Sequence, residues 1–241
     1  MKLKITLIIA ILFYTVQVKA QIDPVKRDTL KEVVITSSRI DLPFKQNSRT
    51  ILVITAKQIK QSAVTNITDL LQQVAGVDMR RRGVSGMQAD LYIRGGSFDQ
   101  TLLLIDGIKV EDPQTGHHTM NMALPIDVIE RVEIIKGAAA RIFGQNAFTG
   151  AINIVTKKSA DNVNSVGVQI GSFGQKNGAI TVGKNLENSS VIAHASINSS
   201  DGYRHNTDFK NQNYFIKNTF NKKNTPINFI GYFTERNFGA N

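Results

Sequence analysis

Ile129-Glu130-Arg131-Val132-Glu133-Ile134-Ile135-Lys136-Gly137, resumed at Ala147-Phe148-Thr149-Gly150-Ala151-Ile152-Asn153-Ile154-Val155-Thr156, is the stretch on which the fold turns. After Pro125 the pattern predicts a one-turn helix over residues 126–130 and a strand over 132–135. A short Ala-rich helix over 138–143 and a strand over 151–156 follow. Short helices and strands alternating at this spacing read as a small α+β domain.

Working toward the N-terminus, Leu102-Leu103-Leu104-Ile105 is apolar on both faces and is expected to be a central strand, with Asp106-Gly107 as a tight turn after it. Strands are also predicted at Val77-Asp78-Met79 and Leu91-Tyr92-Ile93, and at Ile51-Leu52-Val53-Ile54. Thr55 and Gln58 have capping-box spacing and open a short helix through Lys60. Asn66 or Thr68 caps a second helix over residues 69–74, which Gly76 stops. Together these elements make a domain of about 110 residues, an ordinary size.

Toward the C-terminus the helices cease after Lys158. Val166, Val168 and Ile170 alternate with Gly167, Gln169 and Gly171, and Val191, Ala193, Ala195 and Ile197 alternate with Ile192, His194, Ser196 and Asn198. Residues 180–183 alternate likewise, and 214–220 and 227–233 continue the pattern with aromatics near the strand ends. Period-two patterning with Gly, Asn and Ser turns is antiparallel sheet, and aromatics at strand ends suit strands that face lipid. About five such strands are too few for a membrane barrel, which needs about eight. The expectation is therefore the start of an incomplete transmembrane β-barrel in a truncated sequence.

Composition narrows the chemistry. The chain has 241 residues, 41% hydrophobic and 20% charged, enough to bury a sizeable core. It has no cysteine, which excludes disulfides, thiolate metal sites and thiol nucleophiles. The formal charge is +10, but Lys2, Lys4 and Lys19 supply three of those charges within residues 1–20, so charge makes no case for nucleic acid. Lys2 and Lys4 precede an apolar run from Ile5 to Val16, and Val18-Lys19-Ala20 offers a cleavage site that leaves Gln21 first. The run falls short of the about 20 apolar residues of a spanning helix, so it is read as an export signal. No later stretch reaches that length, and membrane insertion would have to be as a barrel.

Three segments in order resemble the plug domain of TonB-dependent outer-membrane receptors. They are Leu91-Tyr92-Ile93-Arg94-Gly95 with Leu102-Leu103-Leu104-Ile105-Asp106-Gly107; the Ile129 to Gly137 segment; and Ala140-Arg141-Ile142-Phe143-Gly144 running into the Ala147 to Thr156 segment. Small departures (Ala138 where proline is frequent in the family, Phe143 for tyrosine, Thr149 for a second glycine) touch no chemistry. The implied organisation is a signal peptide at 1–20, a periplasmic tether at 21–44, a plug at 45–158 and the first part of a barrel at 159–241.

Within the tether, Asp28-Thr29-Leu30 and Val33-Val34-Ile35-Thr36 stand where the family carries its TonB box. An extended β-prone segment on a polar leash can add a strand to a partner's sheet edge, which suits force transmission. Its 24 residues average about 27 Å end to end and stretch to about 80 Å. The resemblance implies the TonB energy-coupling protein, outer-membrane lipid and a small-molecule ligand as partners, no nucleic acid, and a Gram-negative outer-membrane location. The match is most similar to cobalamin receptors, whose register puts Gln88, Asp90, Ser97, Thr115 and Gly116 at ligand-contacting plug positions. An iron-chelate receptor is the alternative within the family, and a periplasmic plug-like binding or signalling module the alternative outside it.

Other constellations have simpler readings. Arg80-Arg81-Arg82 is expected in a solvated turn, and His117-His118 with Met120 and Met122 in an apical loop without metal. Asp201 and Asp208 lack the six to eight oxygens calcium wants, with Arg204, His205 and Lys210 nearby. Arg94, Glu130, Arg131 and Glu133 are expected to form salt bridges among themselves or with barrel-wall charges. Gly95-Gly96 and Gly171-Ser172-Phe173-Gly174 are turn glycines, with no strand–loop–helix phosphate unit around them. No catalytic set or resident cofactor is predicted, so the protein is read as a non-enzyme.

Overall fold

A computed structural model describes residues 34–35, 42–43, 51–62, 64–84, 87–112, 114–121, 124–138, 143–158, 160–161, 163–222 and 225–239. Two short strands, β1 (Val34–Ile35) and β2 (Leu42–Pro43), pair antiparallel, Val34 opposite Pro43 and Ile35 opposite Leu42. The export segment and Asp28, Thr29, Leu30, Val33 and Thr36 lie outside the described residues.

Strand β3 (Ile51–Thr55) runs into α1 (Ala56–Gln61) through the expected capping box. The Thr55 hydroxyl oxygen accepts from the Gln58 N–H at 3.4 Å, and the Gln58 side chain accepts from the Thr55 N–H at 2.8 Å. Asn66, not Thr68, caps α2 (Ile67–Gln72), its side-chain oxygen accepting from the Asp69 N–H at 2.9 Å. The helix therefore starts and ends about two residues earlier than its pattern indicates, a usual margin at helix ends, and buries Ile67, Leu70 and Leu71. The hairpin of β4 (Val77–Arg81) and β5 (Ala89–Ile93) follows. Then come β6 (Thr101–Ile105), β7 (Ile108–Val110), β8 (Ile129–Lys136) and β9 (Gly150–Thr156).

The main sheet has the order β3-β8-β9-β6-β7. The middle position belongs to β9, all seven of whose residues are buried, and β6 is, as expected, an interior strand beside it. β6 lies between β9 and β7 and is likewise fully buried, because apolar clusters cover both faces of the sheet. Leu103, Ile105, Val132, Ile134, Ile152 and Ile154 point to the side carrying α2 and the β4–β5 hairpin. Leu102, Leu104, Ile135 and Ala151 point to the other side, with Ala147. Alternation on a pleated strand puts neighbouring residues on opposite faces, so a strand covered twice reads as an unbroken apolar run.

Two backbone details hold this sheet. Asp106 and Gly107, both left-handed at φ 49° and 81°, close the β6–β7 hairpin in the way two-residue turns require. A Cβ on Gly150 would meet the Ile135 carbonyl oxygen at 2.4 Å, so only glycine lets β9 lie this close to β8. The expected helix over 126–130 is a 3-10 turn, Ile126–Val128, with Ile129 and Glu130 already in β8. A bulge between Ile129 and Arg131 against β9 accounts for the early strand start. The expected helix over 138–143 falls largely outside the described residues.

The second sheet is an up-and-down meander of β10 (Ser165–Ile170), β11 (Lys176–Leu186), β12 (Ser189–Ser200), β13 (Phe209–Lys222) and β14 (Thr225–Phe238), with β10 and β14 at its edges. Its register separates two kinds of surface. On one face Val166, Val168 and Ile170 are 76–83% exposed, and Ile180, Val182, Ile216, Phe229 and Phe233 are exposed with them. On the other, Thr181, Ser190, His194, Asn211, Lys217 and Thr219 are buried, with Ile192 and Phe215 joining the apolar core of the first sheet. Apolar outside and polar inside is the reverse of a water-soluble sheet and is the pattern of a membrane barrel wall. The two last strands have 14 residues each, more than the about 9–11 a tilted membrane strand needs. No helix among the described residues is long and apolar enough to cross a membrane.

Candidate functional site

The five candidate ligand residues fall around one side-chain cluster. Asp90, 2% exposed on β5, accepts from the Gln88 amide at 3.1 Å, pairs with His117 Nδ1 at 2.9 Å and lies 3.5 Å from the Arg82 guanidinium. Burial alone would push its carboxyl pKa upward, but the hydrogen bonds from His117 and Gln88 outweigh it and hold the group below its ordinary value. The His117 ring packs on Phe98 with centroids 4.2 Å apart, and Phe98 meets Tyr92 edge to face at 6.4 Å. Gly116 lies so close that a Cβ there would touch the Phe98 ring at 3.0 Å. Ser97 precedes Phe98 and donates its hydroxyl to Asp99.

Thr115 is held differently. Its hydroxyl donates to Asp112 Oδ2 at 2.7 Å, and the same carboxylate accepts from the N–H groups of Gln114, Thr115 and His118 at 3.1–3.3 Å. These bonds, the Thr115 hydroxyl first and the Gln114 N–H next, lower the Asp112 pKa to about 2. The sign follows directly. The folded value lies below the unfolded one of about 3.9, so the loop's hydrogen bonds are present in full above that pH and are lost as pH falls through about 2. Amide chemical shifts of Gln114, Thr115 and His118 are expected to titrate together near pH 2; titration near pH 4 would show that Asp112 does not hold the loop.

The arginine run is solvent-exposed as expected, but most of it lies in a strand and not in a turn. Arg80 and Arg81 belong to β4, Arg80 bonding Asp78 at 2.9 Å and lying over the Tyr92 ring at 4.2 Å, and Arg81 pairing with Asp69 on α2. Three carboxylates on three different elements draw the run into structure. Met120 is buried in the core, and no group of three or more His, Asp or Glu suited to a metal occurs among the described residues.

A second set of contacts joins the two sheets. Lys217, inward on β13 and 2% exposed, places Nζ 2.5 Å from Thr156 Oγ1 and 3.2 Å from Asp106 Oδ2. Asp106 in turn accepts from the Thr156 N–H at 2.7 Å and hydroxyl at 2.6 Å. Nearby, a cavity of about 400 Å³ separates Val64, Val84, Met87 and Met120 of the first domain from Asn177, Asn198, Asn211, Asn213 and Arg236 of the wall. The register sets Asn177 opposite Asn198 and Asn198 opposite Asn211, so the wall presents a row of amides to it.

Residues 43–151 match the family model of the TonB-dependent receptor plug domain. The domain is a TonB-dependent receptor plug. Over 161 residues the chain is 30% identical to a protein named vitamin B12 transporter BtuB from Vibrio vulnificus (strain CMCP6), covering 66% of this chain and 26% of that one. It is 32% identical over 142 residues to a protein of the same name from Vibrio cholerae serotype O1 (strain ATCC 39315 / El Tor Inaba N16961), covering 58% and 23%. The chain spans about a quarter of the length of these curated relatives. Among solved structures, the ferripyoverdine receptor of the Pseudomonas aeruginosa outer membrane superposes with a TM-score of 0.69 at 19% identity, over 85% of this chain and 27% of that one. The siderophore receptor PiuA from Acinetobacter baumannii gives 0.63 at 20%, over 81% and 27%. At that identity the likeness establishes the fold: a plug followed by the first strands of a barrel.

Of the charges expected to pair among themselves or with the barrel wall, Glu130, Arg131 and Glu133 pair with one another. Arg131 bonds Glu130 and Glu133 at 2.8 Å each, and Glu133 accepts from Asn153 at 3.1 Å, so this set knits β8 to β9 inside the plug. Charged contacts with the wall are Asp106 with Lys217 and, at 4.0 Å, Asp127 with His194; sequence reasoning missed the first. Asp106 and Lys217 lie 111 positions apart, and the sole local signal is a lysine at an inward position of an alternating strand.

Proposed function

We propose that this chain is the plug-bearing front end of an outer-membrane transporter that binds cobalamin and imports it with energy passed from the inner membrane by the TonB energy-coupling protein. The observation that carries the proposal is a TonB-dependent receptor plug packed by Lys217 and Phe215 against strands whose outer face is apolar. On this reading residues 1–20 direct export, 21–44 form the periplasmic tether, 45–158 the plug, and 159–241 the start of the barrel. The box is Asp28, Thr29, Leu30, Val33, Val34, Ile35 and Thr36. The two-residue ladder between β1 and β2 is short enough to be given up when a partner's sheet edge takes the strand. Gln88, Asp90, Ser97, Thr115 and Gly116 surround the ligand-facing end of the plug, with Gln88 and Asp90 shaping it through His117. Cobalamin is favoured by relatives that carry the vitamin B12 transporter name and by the register of the plug.

Deleting the gene is expected to abolish uptake of labelled cyanocobalamin, and dissipating the proton gradient to do the same in the undeleted strain. Loss of ferric-chelate uptake with cobalamin uptake intact would replace cobalamin by an iron chelate. Intact uptake of both would leave a binding or signalling module.

A further inference from the structure

We propose that His117 is a donor to the metal of the ligand: its Nε2 takes an exchangeable coordination position on a metal that the ligand itself carries. The proposal rests on the cobalamin reading above, in which that metal is the cobalt of a corrinoid with a replaceable axial water.

The argument starts from the other ring nitrogen. Nδ1 lies 2.9 Å from Asp90 Oδ1, and a carboxylate oxygen accepts hydrogen bonds, so Nδ1 is the donor to Asp90 and Nε2 is the ring nitrogen turned away and left to meet a metal. Asp90 is itself fixed by Gln88 and Arg82, and the ring is set by Phe98 at 4.2 Å. Its backbone is set as well, because Gly116 seats against Phe98 and the His117 N–H donates to Thr115 Oγ1 at 3.4 Å. Among the described residues Nε2 makes no hydrogen bond, although the side chain is 34% exposed. A carboxylate behind an imidazole, fixing tautomer and direction, is the arrangement that raises a histidine's strength as a metal ligand.

A single histidine cannot chelate a free ion, and no group of three or more potential ligands forms around it among the described residues. It can occupy one position on a metal whose other positions the ligand already fills. The step is a substitution: the cobalt–water bond breaks with its electron pair leaving on water, the Nε2 pair forms the new bond, and neither the oxidation state nor the Nδ1 proton changes. The four other residues placed around this cluster by register, Gln88, Ser97, Thr115 and Gly116, then shape and position the donor.

The test uses the receptor purified in detergent from its own outer membrane, with aquocobalamin and cyanocobalamin as probes. His117→Asn keeps an N–H for Asp90 and deletes the distal nitrogen. Wild type is expected to shift the visible spectrum of aquocobalamin to that of an imidazole-ligated corrinoid. H117N is expected to lose the shift and to bind aquocobalamin more weakly by at least about 10-fold, the smallest loss usual when merely the partner behind a ligating histidine is removed. Cyanocobalamin, whose cyanide fills the position, should bind both proteins alike, which also shows that the variant is folded. Cyanocobalamin binding with no aquocobalamin shift in wild type would overturn the donor role and leave the receptor reading standing. Failure of both corrinoids to bind would overturn the cobalamin reading and this inference together.

Discussion

Asp106→Ala is expected to destabilise the seating of the plug on the barrel wall by about 3–5 kcal/mol, the cost of leaving one member of a buried ion pair alone. The member left behind is Lys217, 2% exposed and otherwise facing Thr156. In the native arrangement the Asp106 carboxylate meets three donors, the Thr156 N–H, the Thr156 hydroxyl and the Lys217 ammonium. Removing it takes the carboxylate from all three and leaves the Lys217 charge, itself buried, with the neutral Thr156 hydroxyl oxygen. Pairing the change with Lys217→Met removes the stranded charge and is expected to restore most of the loss, because an apolar replacement of both partners is often near neutral. Protease sensitivity of the plug in the membrane-embedded receptor measures this. Equal sensitivity of D106A and wild type would show that the contact does not hold the plug, and a double variant as weak as D106A would place the cost in the turn itself.

Val34→Pro is expected to reduce energised uptake by about tenfold or more while leaving ligand binding unchanged. Proline removes the backbone N–H that a strand needs for its ladder. One such bond is worth about 0.5–1.5 kcal/mol, and about 1.4 kcal/mol is tenfold in an equilibrium. The ladder between β1 and β2 has only two residue pairs, so losing one donor there costs the resting plug little, whereas strand addition to a partner rests on such main-chain bonds. Transport of labelled cobalamin alongside its binding at low temperature separates the two effects. Equal loss of binding and transport would place Val34 in the plug's own structure, and unchanged transport would move the coupling segment elsewhere in the tether.

How far each feature could be read beforehand follows from the range of the forces behind it. The capping box of Thr55 and Gln58 and the Asp106-Gly107 turn are set within a few residues, and both stand where the pattern puts them. The choice of Asn66 over Thr68 as a cap, and the entry of Ile129 into β8, depend on neighbouring elements and shifted by one to three residues. The arginine run misled only as to the turn, because charge at three successive positions resembles one. Asp78 pairs with it from the same strand, but Asp69 and Asp90 come from other elements that only the fold brings near. In the candidate site, Gln88, Asp90, Ser97, Thr115 and Gly116 were proposed by register. The histidine that links them stands in the loop where the pattern puts it, but its partner Asp90 is 27 positions away in the chain and only the fold brings the two together.

By itself the amino-acid sequence determined the plug, the alternation of the later strands and the absence of thiol chemistry, since local propensity, period and composition decide these. The tertiary structure alone decided which residue of an alternating strand becomes a partner of the plug. A period of two says that Lys217 shares a face with Phe215 and Asn213. Only the packed sheets show that this face is the inner one, with Asp106 and Thr156 waiting 3.2 and 2.5 Å away. Long-range electrostatic pairing leaves no mark on local sequence, because its strength depends on burial and distance, and both come into being when the chain folds.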